Sequence, residues 1–417
     1  AQAAPRPPQA AAFTAPGAFN PLKPVRVLDT RYGTGAAGPV FPNQVIRLPI
    51  RGRHGVGADA GSVILNVTVP QPSAAYPDAT APTASNLNFV AGQTVPNLVV
   101  CAIGADGYLS IRNASPGTIH LLADLAGYYQ GGKAVHRGMF QPMSPARLID
   151  TRVTTGPVGP GGSIDVQVTG TKGIPATHVQ AVFLNTTVTQ PQRDGYVTAW
   201  PSGTPRPTAS SLNFRAGQTI PNLVMVKIGA NGKVSLYNGS AGTAHLIADV
   251  AGYVLDGIDS EQPGAFIPHS PERIIDTRLP SWRTGKLRPH WEGIGCFAPW
   301  VGGVIANVTA IEPEAAGFIT VAPRTGDLPA VSNVNFLAGQ TVPNLSTSPV
   351  DSKLMVSFYN GSPGATHLVV DLAGGFVGAG GLNAPLPSDG NPCDELRSYQ
   401  GPSANAVGLA QVTAAAR

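Results

Sequence analysis

The stretch ASNLNFVAGQTVPNLVV, residues 84–100, decides the fold, because the chain contains it three times. The second copy is SSLNFRAGQTIPNLVM at residues 210–225, and the third is SNVNFLAGQTVPNLST at residues 332–347. Self-similarity at a regular spacing predicts a repeat architecture, in which each copy contributes one structural unit. The sequence therefore predicts three related units before any single residue is interpreted.

Further repeated segments precede and follow each copy. The preceding segment is PVRVLDTR, PARLIDTR or PERIIDTR, and the following one ends in DLAGYY, DVAGYV or DLAGGF. These segments set the predicted boundaries, and each repeat has the size of an ordinary domain. The predicted units are an extended Ala/Pro-rich N-terminal tail (1–23), repeat 1 (24–131), repeat 2 (145–255), repeat 3 (271–378) with a Trp-rich insertion (279–300), and a C-terminal tail (379–417).

The composition and the local patterns favour an all-β fold. The chain has 50 Gly and 41 Pro, and its apolar runs are short and rich in β-branched residues, as in SVILNVTV at 62–69. Several short strands with regular turn signals predict a β-sandwich for each repeat. The alternative is a single six-bladed β-propeller with two blades for each repeat, which would require a half-repeat that is only loosely visible.

The charge pattern and the N-terminus bear on partners and location. Charged residues make up only 12% of the chain, and the net charge of +4 comes from scattered residues, so we expect no nucleic-acid partner. No apolar run is long enough to span a membrane as a helix. The first residues, Ala1 to Pro5, resemble the start of a chain after signal-peptide removal, which predicts a secreted protein.

Three cysteines leave one unpaired thiol. Cys296 and Cys393 lie outside the repeated pattern, and we predict a disulfide between them that ties down the C-terminal tail in an oxidising compartment. Cys101 lies within an apolar strand and is expected to be a buried, inert thiol.

The repeated polar residues are the candidates for a ligand site. In the AGQTxPN loop they can be ligand-binding amides that face outward, or turn residues that stabilise the connection to the next strand. The Asp-Thr-Arg segment can bind a sugar or an acidic group, or it can form an ion pair within the repeat. The loop residues considered as ligand-binding are Gln93, Asn97, Gln218, Asn222, Gln340 and Asn344.

No repeated residues form a catalytic pattern. His120 and Asp124 lie on one face of a strand, as do their counterparts, but no repeated Ser or Cys nucleophile accompanies them. We interpret them as a buried hydrogen-bonding pair, and we expect no enzyme, no metal and no cofactor. The repeated N-x-T and N-x-S asparagines are interpreted as strand and turn residues rather than glycosylation sites.

The predicted insertion in repeat 3 differs from the other repeats in its aromatic residues. Trp282, Trp291 and Trp300 can stack on the apolar faces of sugar rings, or they can pack this segment against the repeat. Both interpretations stay open at this point.

The motifs PxRhhDTR, LNVT, SNLNFxAGQTxPNLV and VDxAGYY, taken together and in order, resemble tandem domains of secreted proteins from Streptomyces and related actinobacteria. The resemblance covers residues 24–378. It implies secretion, a β-rich module and a binding or scaffolding role, and it implies no catalytic residues. Repeat 3 departs from the pattern at Gly375, where the other repeats have Tyr.

These observations predict a secreted, non-catalytic structural protein of the cell surface or extracellular matrix that assembles with itself through its repeats and its N-terminal tail. The alternative is a multivalent lectin that binds cell-wall or extracellular glycans through three weak sites. In the tail, Pro7 and Pro8 favour an extended conformation and Phe13 offers an aromatic anchor. We predict that the tail adds to an open sheet edge of a neighbouring copy.

Overall fold

A computed structural model describes residues 18–70, 87, 89, 94–131, 139–256, 264–279, 286–290, 292–324, 327–379 and 407–409. All its regular elements are β-strands. Repeat 1 contains β1 (Phe19–Asp29), β2 (Val45–Pro49), β3 (Ala60–Val69), β4 (Val95–Ala102), β5 (Tyr108–Arg112) and β6 (Leu122–Gln130).

Repeat 2 has eight strands, and repeat 3 has eight strands in the same order, followed by one more strand near the C-terminus. The strands of repeat 2 are β7 (Phe140–Asp150), β8 (Ser163–Gln167), β9 (Val179–Thr189), β10 (Gly195–Pro201), β11 (Leu212–Phe214), β12 (Ile220–Lys227), β13 (Lys233–Asn238) and β14 (His245–Leu255). Those of repeat 3 and the C-terminus are β15 (Phe266–Asp276), β16 (Glu292–Cys296), β17 (Val301–Ile311), β18 (Gly317–Pro323), β19 (Val334–Phe336), β20 (Val342–Pro349), β21 (Met355–Asn360), β22 (His367–Val377) and β23 (Val407–Leu409).

Each repeat contains two sheets that pack face to face. In repeat 2 the inner sheet has the order β12-β9-β14-β7 and the outer sheet β11-β10-β13-β8, and repeat 3 has the same arrangement. This strand order is that of an eight-stranded jelly roll. In repeat 1 the inner sheet is β1-β6-β3-β4 and the described outer strands are β2 and β5. The predicted β-sandwich is confirmed, and the propeller alternative is wrong because the two sheets of a repeat share one core.

The inner and outer sheets differ in burial. Every residue of β3 is buried, whereas β8 alternates between exposed and buried positions. An outer sheet has one face in solvent, which explains the alternation. An inner strand is buried on both faces, because one face packs against its own outer sheet and the other against the neighbouring repeats. The continuous apolar runs of the sequence are these inner strands.

The opening strand of each repeat begins earlier than the sequence analysis predicted. β1 begins at Phe19, inside the predicted tail, and β7 and β15 begin at Phe140 and Phe266. All three strands contain two register shifts, one of which spans a proline-containing segment. The signal that identifies them is a repeated Phe-x-Pro, which precedes Asp-Thr-Arg in every repeat.

Two further boundaries differ from the prediction. The segment 279–300 is not an extra insertion, because it contains β16, the counterpart of β2 and β8. The predicted C-terminal tail contains β23, which pairs in parallel with β16 at the edge of the outer sheet of repeat 3.

Candidate functional site: the contact between the three repeats

The inner sheets of the three repeats meet in one shared apolar core. Six aromatic side chains lie in it, together with aliphatic residues from all three repeats. The ring of Phe140 lies 4.7 Å from that of Phe183 and 4.4 Å from that of Phe376, so repeats 2 and 3 are in direct contact. The aromatic members are Phe19, Tyr129, Phe140, Phe183, Phe266 and Phe376. We call this set, with its aliphatic neighbours, the central core.

The opening strands supply one Phe each to the central core. Phe140 is fully buried, and its ring lies over Gly252 of the neighbouring strand β14. A Cβ at Gly252 would stand 2.3 Å from Cζ of Phe140, which is far inside van der Waals contact. Gly127 and Gly374 stand in the same relation to Phe19 and Phe266. The repeated glycine of the Ala-Gly pair is therefore required because the Phe ring occupies the place of a side chain.

Each repeat has a Pro-Asn-Leu (PNL) segment, at 96–98, 221–223 and 343–345. The buried asparagines of these segments form a closed ring of hydrogen bonds between the repeats. The backbone N–H of Leu98 donates to Oδ1 of Asn222 at 3.3 Å, which joins repeat 1 to repeat 2. Leu223 donates in the same way to Asn344 at 3.0 Å, which joins repeat 2 to repeat 3. The backbone N–H of Leu345 donates to Oδ1 of Asn97 at 3.0 Å, which joins repeat 3 to repeat 1 and closes the ring.

A second set of hydrogen bonds joins side-chain amides of different repeats, and its donors run around the three repeats in the direction opposite to that of the first ring. Asn97 Nδ2 donates to Oδ1 of Asn307 at 2.8 Å, and Asn344 Nδ2 donates to Oδ1 of Asn185 at 2.8 Å. Asn222 Nδ2 completes the set by donating to Oδ1 of Asn66 at 3.1 Å. Amide groups can donate and accept at once, so one residue type satisfies the whole ring.

These contacts correct the interpretation of the PNL asparagines as outward-facing ligand amides. Asn97, Asn222 and Asn344 are each at most 1% exposed, and their oxygen and nitrogen atoms bond other repeats. Buried polar groups of this kind are tolerated when every partner is present, and they then fix a single arrangement. The strand asparagines Asn66 and Asn185 contribute to the same contact by donating to Ser210 O and Ser332 O.

The loop glutamines have a local role in repeats 2 and 3. Oε1 of Gln218 accepts the backbone N–H of Arg215 at 3.0 Å, and Oε1 of Gln340 accepts that of Leu337 at 3.0 Å. Each glutamine therefore closes its own AGQ turn, which agrees with the interpretation as turn residues. Gln93 lies outside the described residues.

The Asp-Thr-Arg segment forms an ion-pair network within each repeat, as one of its two interpretations predicted. Arg152 donates to both carboxylate oxygens of Asp150, at 2.9 and 2.6 Å, and these bonds lower the pKa of Asp150 to about 2. Arg147 joins Asp150 to Asp249 of β14. Burial raises the pKa of Asp249 despite these contacts.

The same network recurs in the other two repeats. Arg31 and Arg278 take the place of Arg152 and bond Asp29 and Asp276. The hydrogen bonds to Arg31 lower the pKa of Asp29. Burial opposes the lowering of the pKa of Asp276, but the Arg278 contacts outweigh it.

The predicted His–Asp pair is wrong. Nδ1 of His245 lies 3.0 Å from Oγ1 of Thr151, the threonine of the Asp-Thr-Arg segment, while Asp249 bonds Arg147 instead. Oγ1 of Thr151 also accepts the backbone N–H of Leu246. The threonine is fully buried and the histidine half-buried, so this contact stabilises the strand ends and leaves no exposed nucleophile. His120 and His367 make the same contact with Thr30 and Thr277.

Of the three tryptophans considered for sugar stacking, the structure describes Trp300. Trp300 is 6% exposed, belongs to the core of repeat 3 and lies 3.1 Å from the Cβ position of Gly375. It therefore packs the repeat and is not available as a sugar-stacking surface. It also explains why repeat 3 has Gly at position 375, where Tyr128 and Tyr253 stand in the other repeats. Trp282 and Trp291 lie outside the described residues.

The cysteines agree in part with expectation. Cys101 is free, as expected, but it is half-buried rather than buried and packs against the core of repeat 1, and desolvation raises the pKa of its thiol to about 12. Cys296 is fully buried at the end of β16 and is not a free thiol. Its predicted partner Cys393 lies outside the described residues, so this disulfide stays a prediction.

Other site types are not found in the described part of the chain. No group of three or more His, Cys, Asp or Glu side chains there could hold a metal ion. Within the same residues, no helix is long and apolar enough to cross a membrane. The N-x-S residues Asn113, Asn238 and Asn360 are buried and hold turns through hydrogen bonds to backbone carbonyls.

Comparison with solved structures finds distant structural neighbours, two of which are described here. No family model and no curated protein matches the chain. One neighbour is a solved structure reported for the triple jelly roll fold and turret assembly in an archaeal virus. It is 11% identical in sequence, the match covers 87% of this chain and 90% of the viral chain, and the TM-score is 0.18. An atomic structure of Sulfolobus turreted icosahedral virus is 10% identical and covers 87% of this chain and 91% of its own, also with a TM-score of 0.18. Similarity at this TM-score carries no argument about function.

Proposed function

We propose that this protein is a secreted, non-catalytic structural protein whose three jelly rolls form one closed unit, and that this unit assembles with further copies of itself. The observation that carries the proposal is the use of the repeated polar residues. Asn97, Asn222 and Asn344 join the repeats to one another, and the Asp-Thr-Arg groups bond within each repeat. The most regular features of the sequence thus serve construction.

Closure of the unit limits how copies can associate. The apolar inner faces are used within the chain, because Phe19, Phe140 and Phe266 all lie in the central core. Association between copies therefore uses outer surfaces, open sheet edges and the terminal segments. We retain the N-terminal tail as the connecting segment, since unpaired edge strands accept extended segments.

The glycan-binding alternative has less support. Of the residues considered for it, Asn97, Asn222, Asn344 and Trp300 are buried. Gln218 and Gln340 use their side-chain oxygens within their own turns.

Electron microscopy and light scattering of the purified full-length protein, over a range of concentrations, test the proposal. We expect ordered assemblies whose mass rises with concentration. A protein that remains monomeric at all concentrations would contradict it, and binding of a defined glycan on an array would then favour the lectin alternative.

A further inference from the structure

The outer-sheet edges of the three repeats are in three different states. The edge strands are β2, β8 and β16, and their registers with β5, β13 and β21 place Pro49, Gln167 and Cys296 at equivalent positions. These three positions can therefore be compared directly.

The edge of repeat 3 is filled. Ile294 and Cys296 are paired with Val407 and Leu409 of the parallel strand β23. Ile294 is 2% exposed and Cys296 fully buried. β23 also contacts the opening strand β15, so it covers the side of the jelly roll where the two sheets meet.

The edge of repeat 1 is blocked. Pro49 stands at the position equivalent to Cys296, and a proline has no N–H to donate to an added strand. A proline at a sheet edge is a recognised protection against strand addition. The opening-strand residues Val27 and Leu28 are already buried there.

The edge of repeat 2 is open among the described residues, because none of the described strands pairs with β8 on the side away from β13. The N–H of Val168 bonds Gly232 on the β13 side, so strand alternation directs the N–H groups of Asp165 and Gln167 away from β13. The side chain of Gln167 folds back onto its own turn by donating to Thr169 O.

A groove lies beside this open edge. It has a volume of about 190 Å³, and Leu148, Ile149 and Val166 supply its apolar lining. Leu148 and Ile149 are half-buried, whereas their counterparts Ile274 and Ile275 in repeat 3 are at most 2% exposed. Repeat 2 thus has, without an occupant among the described residues, the place that β23 fills in repeat 3.

We propose that the edge of β8 and this groove are the acceptor for the N-terminal segment, residues 1–17, of a second copy of the chain. The inference rests on the proposed function and deepens it by naming the acceptor. The segment Ala10–Phe13 combines small residues with one large apolar side chain. The C-terminal segment that contains β23, and that fills the edge of repeat 3, has the same kind of composition. Small side chains suit a strand that runs close to a sheet edge, and Phe13 fills the groove over Leu148.

Reach favours a second copy over the same chain. Ala18 packs against Met139 at the beginning of β7. Ile149 and Phe140 pair with Ala248 and Val254 of β14. Ala248 and Val254 are six residues apart, so at a regular strand rise Phe140 and Ile149 lie ~20 Å apart along β14. The five residues from Phe13 to Ala18 extend over at most ~18 Å, so even a fully extended segment leaves the Phe13 backbone of the same chain short of the groove, whereas a second copy has no such limit.

The test compares full-length wild type with Gln167→Pro, and Gln167→Ala serves as the matched control. Both variants lose the side-chain bonds of Gln167, but only the proline removes the outward N–H, and repeat 1 has a proline, Pro49, at the equivalent position of its own edge strand. We expect hydrogen exchange at residues 165 and 167 to slow at least tenfold upon assembly in wild type and Gln167→Ala. Gln167→Pro should not assemble, and neither should Phe13→Asp.

The outcomes separate the acceptor from the function. Normal assembly of Gln167→Pro overturns the acceptor site and leaves the proposed function intact. Slow exchange that is independent of protein concentration means that the tail of the same chain docks there, which also overturns the proposal. If wild type never assembles, the proposed function fails. The edge is then tested with a synthetic peptide of residues 1–17: slowed exchange at 165 and 167 supports the acceptor, and unchanged exchange overturns it.

Discussion

The side-chain amide of Asn97 donates a hydrogen bond to Oδ1 of Asn307, 2.8 Å away, and so joins the first repeat to the third. A chain of three independent domains in a row would have no reason to bring its first and last repeats together. Here the contact is one of three equivalent contacts, and the repeats close around the central core. The three jelly rolls thus form one structural unit.

The first prediction concerns the asparagine ring. Asn222→Ala removes the acceptor for Leu98 N–H and the donor to Asn66 Oδ1, both of them buried. Each unsatisfied buried group costs ~1–3 kcal/mol, so we expect the loss of these two partners to lower the free energy of unfolding by roughly 2–6 kcal/mol. Chemical denaturation measures the change.

The control for this variant is Asn213→Ala, whose half-buried amide bonds Ser210 within the same repeat. We expect a loss of about 1 kcal/mol or less. Equal effects of the two substitutions would show that the ring between the repeats has no special weight.

Much of the architecture of a single repeat was predictable from the sequence. The repeats, the β-sandwich and the ion pairs within Asp-Thr-Arg follow from local patterns that depend on neighbouring residues. The opening strands were predicted too short, although Phe-x-Pro recurs in every repeat and marks Phe19, Phe140 and Phe266. Prolines near a strand suggest its end, and here they lie within the strand, at a register shift.

The contact between the repeats was not predictable in the same way. An asparagine after proline, such as Asn97, has the same local pattern whether it faces solvent or another repeat. Its partner Asn307 is remote in the sequence, and only closure in three dimensions brings the two together. The signal in the sequence was the nearly continuous apolar run of strands such as β3. Such a run indicates a strand packed on both faces, and every residue of β3 is indeed buried.

The second prediction concerns the packing of Phe140 on β14. Gly252→Ala places a methyl group within the ring of Phe140 and against the carbonyl oxygen of Gln141, so both must shift. Overpacking of this kind costs ~1–3 kcal/mol, and we expect the thermal midpoint to fall accordingly. Gly159→Ala is the control, because no atom lies within 4 Å of its Cβ position. A neutral Gly252→Ala would contradict the account of the Ala-Gly pair.

The third prediction concerns the hydroxyl of Tyr129. This group is buried in the central core and has no hydrogen-bond partner among the described residues. An unpaired buried hydroxyl costs ~1–3 kcal/mol, and Phe376 occupies the equivalent position of repeat 3. We therefore expect Tyr129→Phe to leave the free energy of unfolding unchanged or to raise it. A marked loss of stability would reveal a partner for this hydroxyl.

The fourth prediction concerns acid stability. The contacts with Arg152 lower the pKa of Asp150 from 3.8 to about 2 in the folded protein. Because the folded pKa is the lower one, this stabilisation is complete above pH 3.8 and is lost as the pH falls through about 2. Asp29 and Asp276 shift in the same direction, so we expect the thermal midpoint to fall across this window.

Arg152→Gln checks the cause of this acid dependence. Without the guanidinium, the pKa of Asp150 should rise, and the midpoint should depend less steeply on pH in the same window. Burial raises the pKa values of Asp124 and Asp249, which acts in the opposite sense and at higher pH. An unchanged slope in Arg152→Gln would mean that other groups govern the acid transition.

The closure of the three repeats into one unit is tested most directly by differential scanning calorimetry of the full-length chain. The shared central core predicts one cooperative transition, with a calorimetric enthalpy equal to the van't Hoff enthalpy for the whole chain. Phe140→Ala, a change within repeat 2, should shift that single transition as a whole. Three separable transitions, or a ratio of calorimetric to van't Hoff enthalpy of about 3, would show that the repeats unfold independently and would contradict the closed unit.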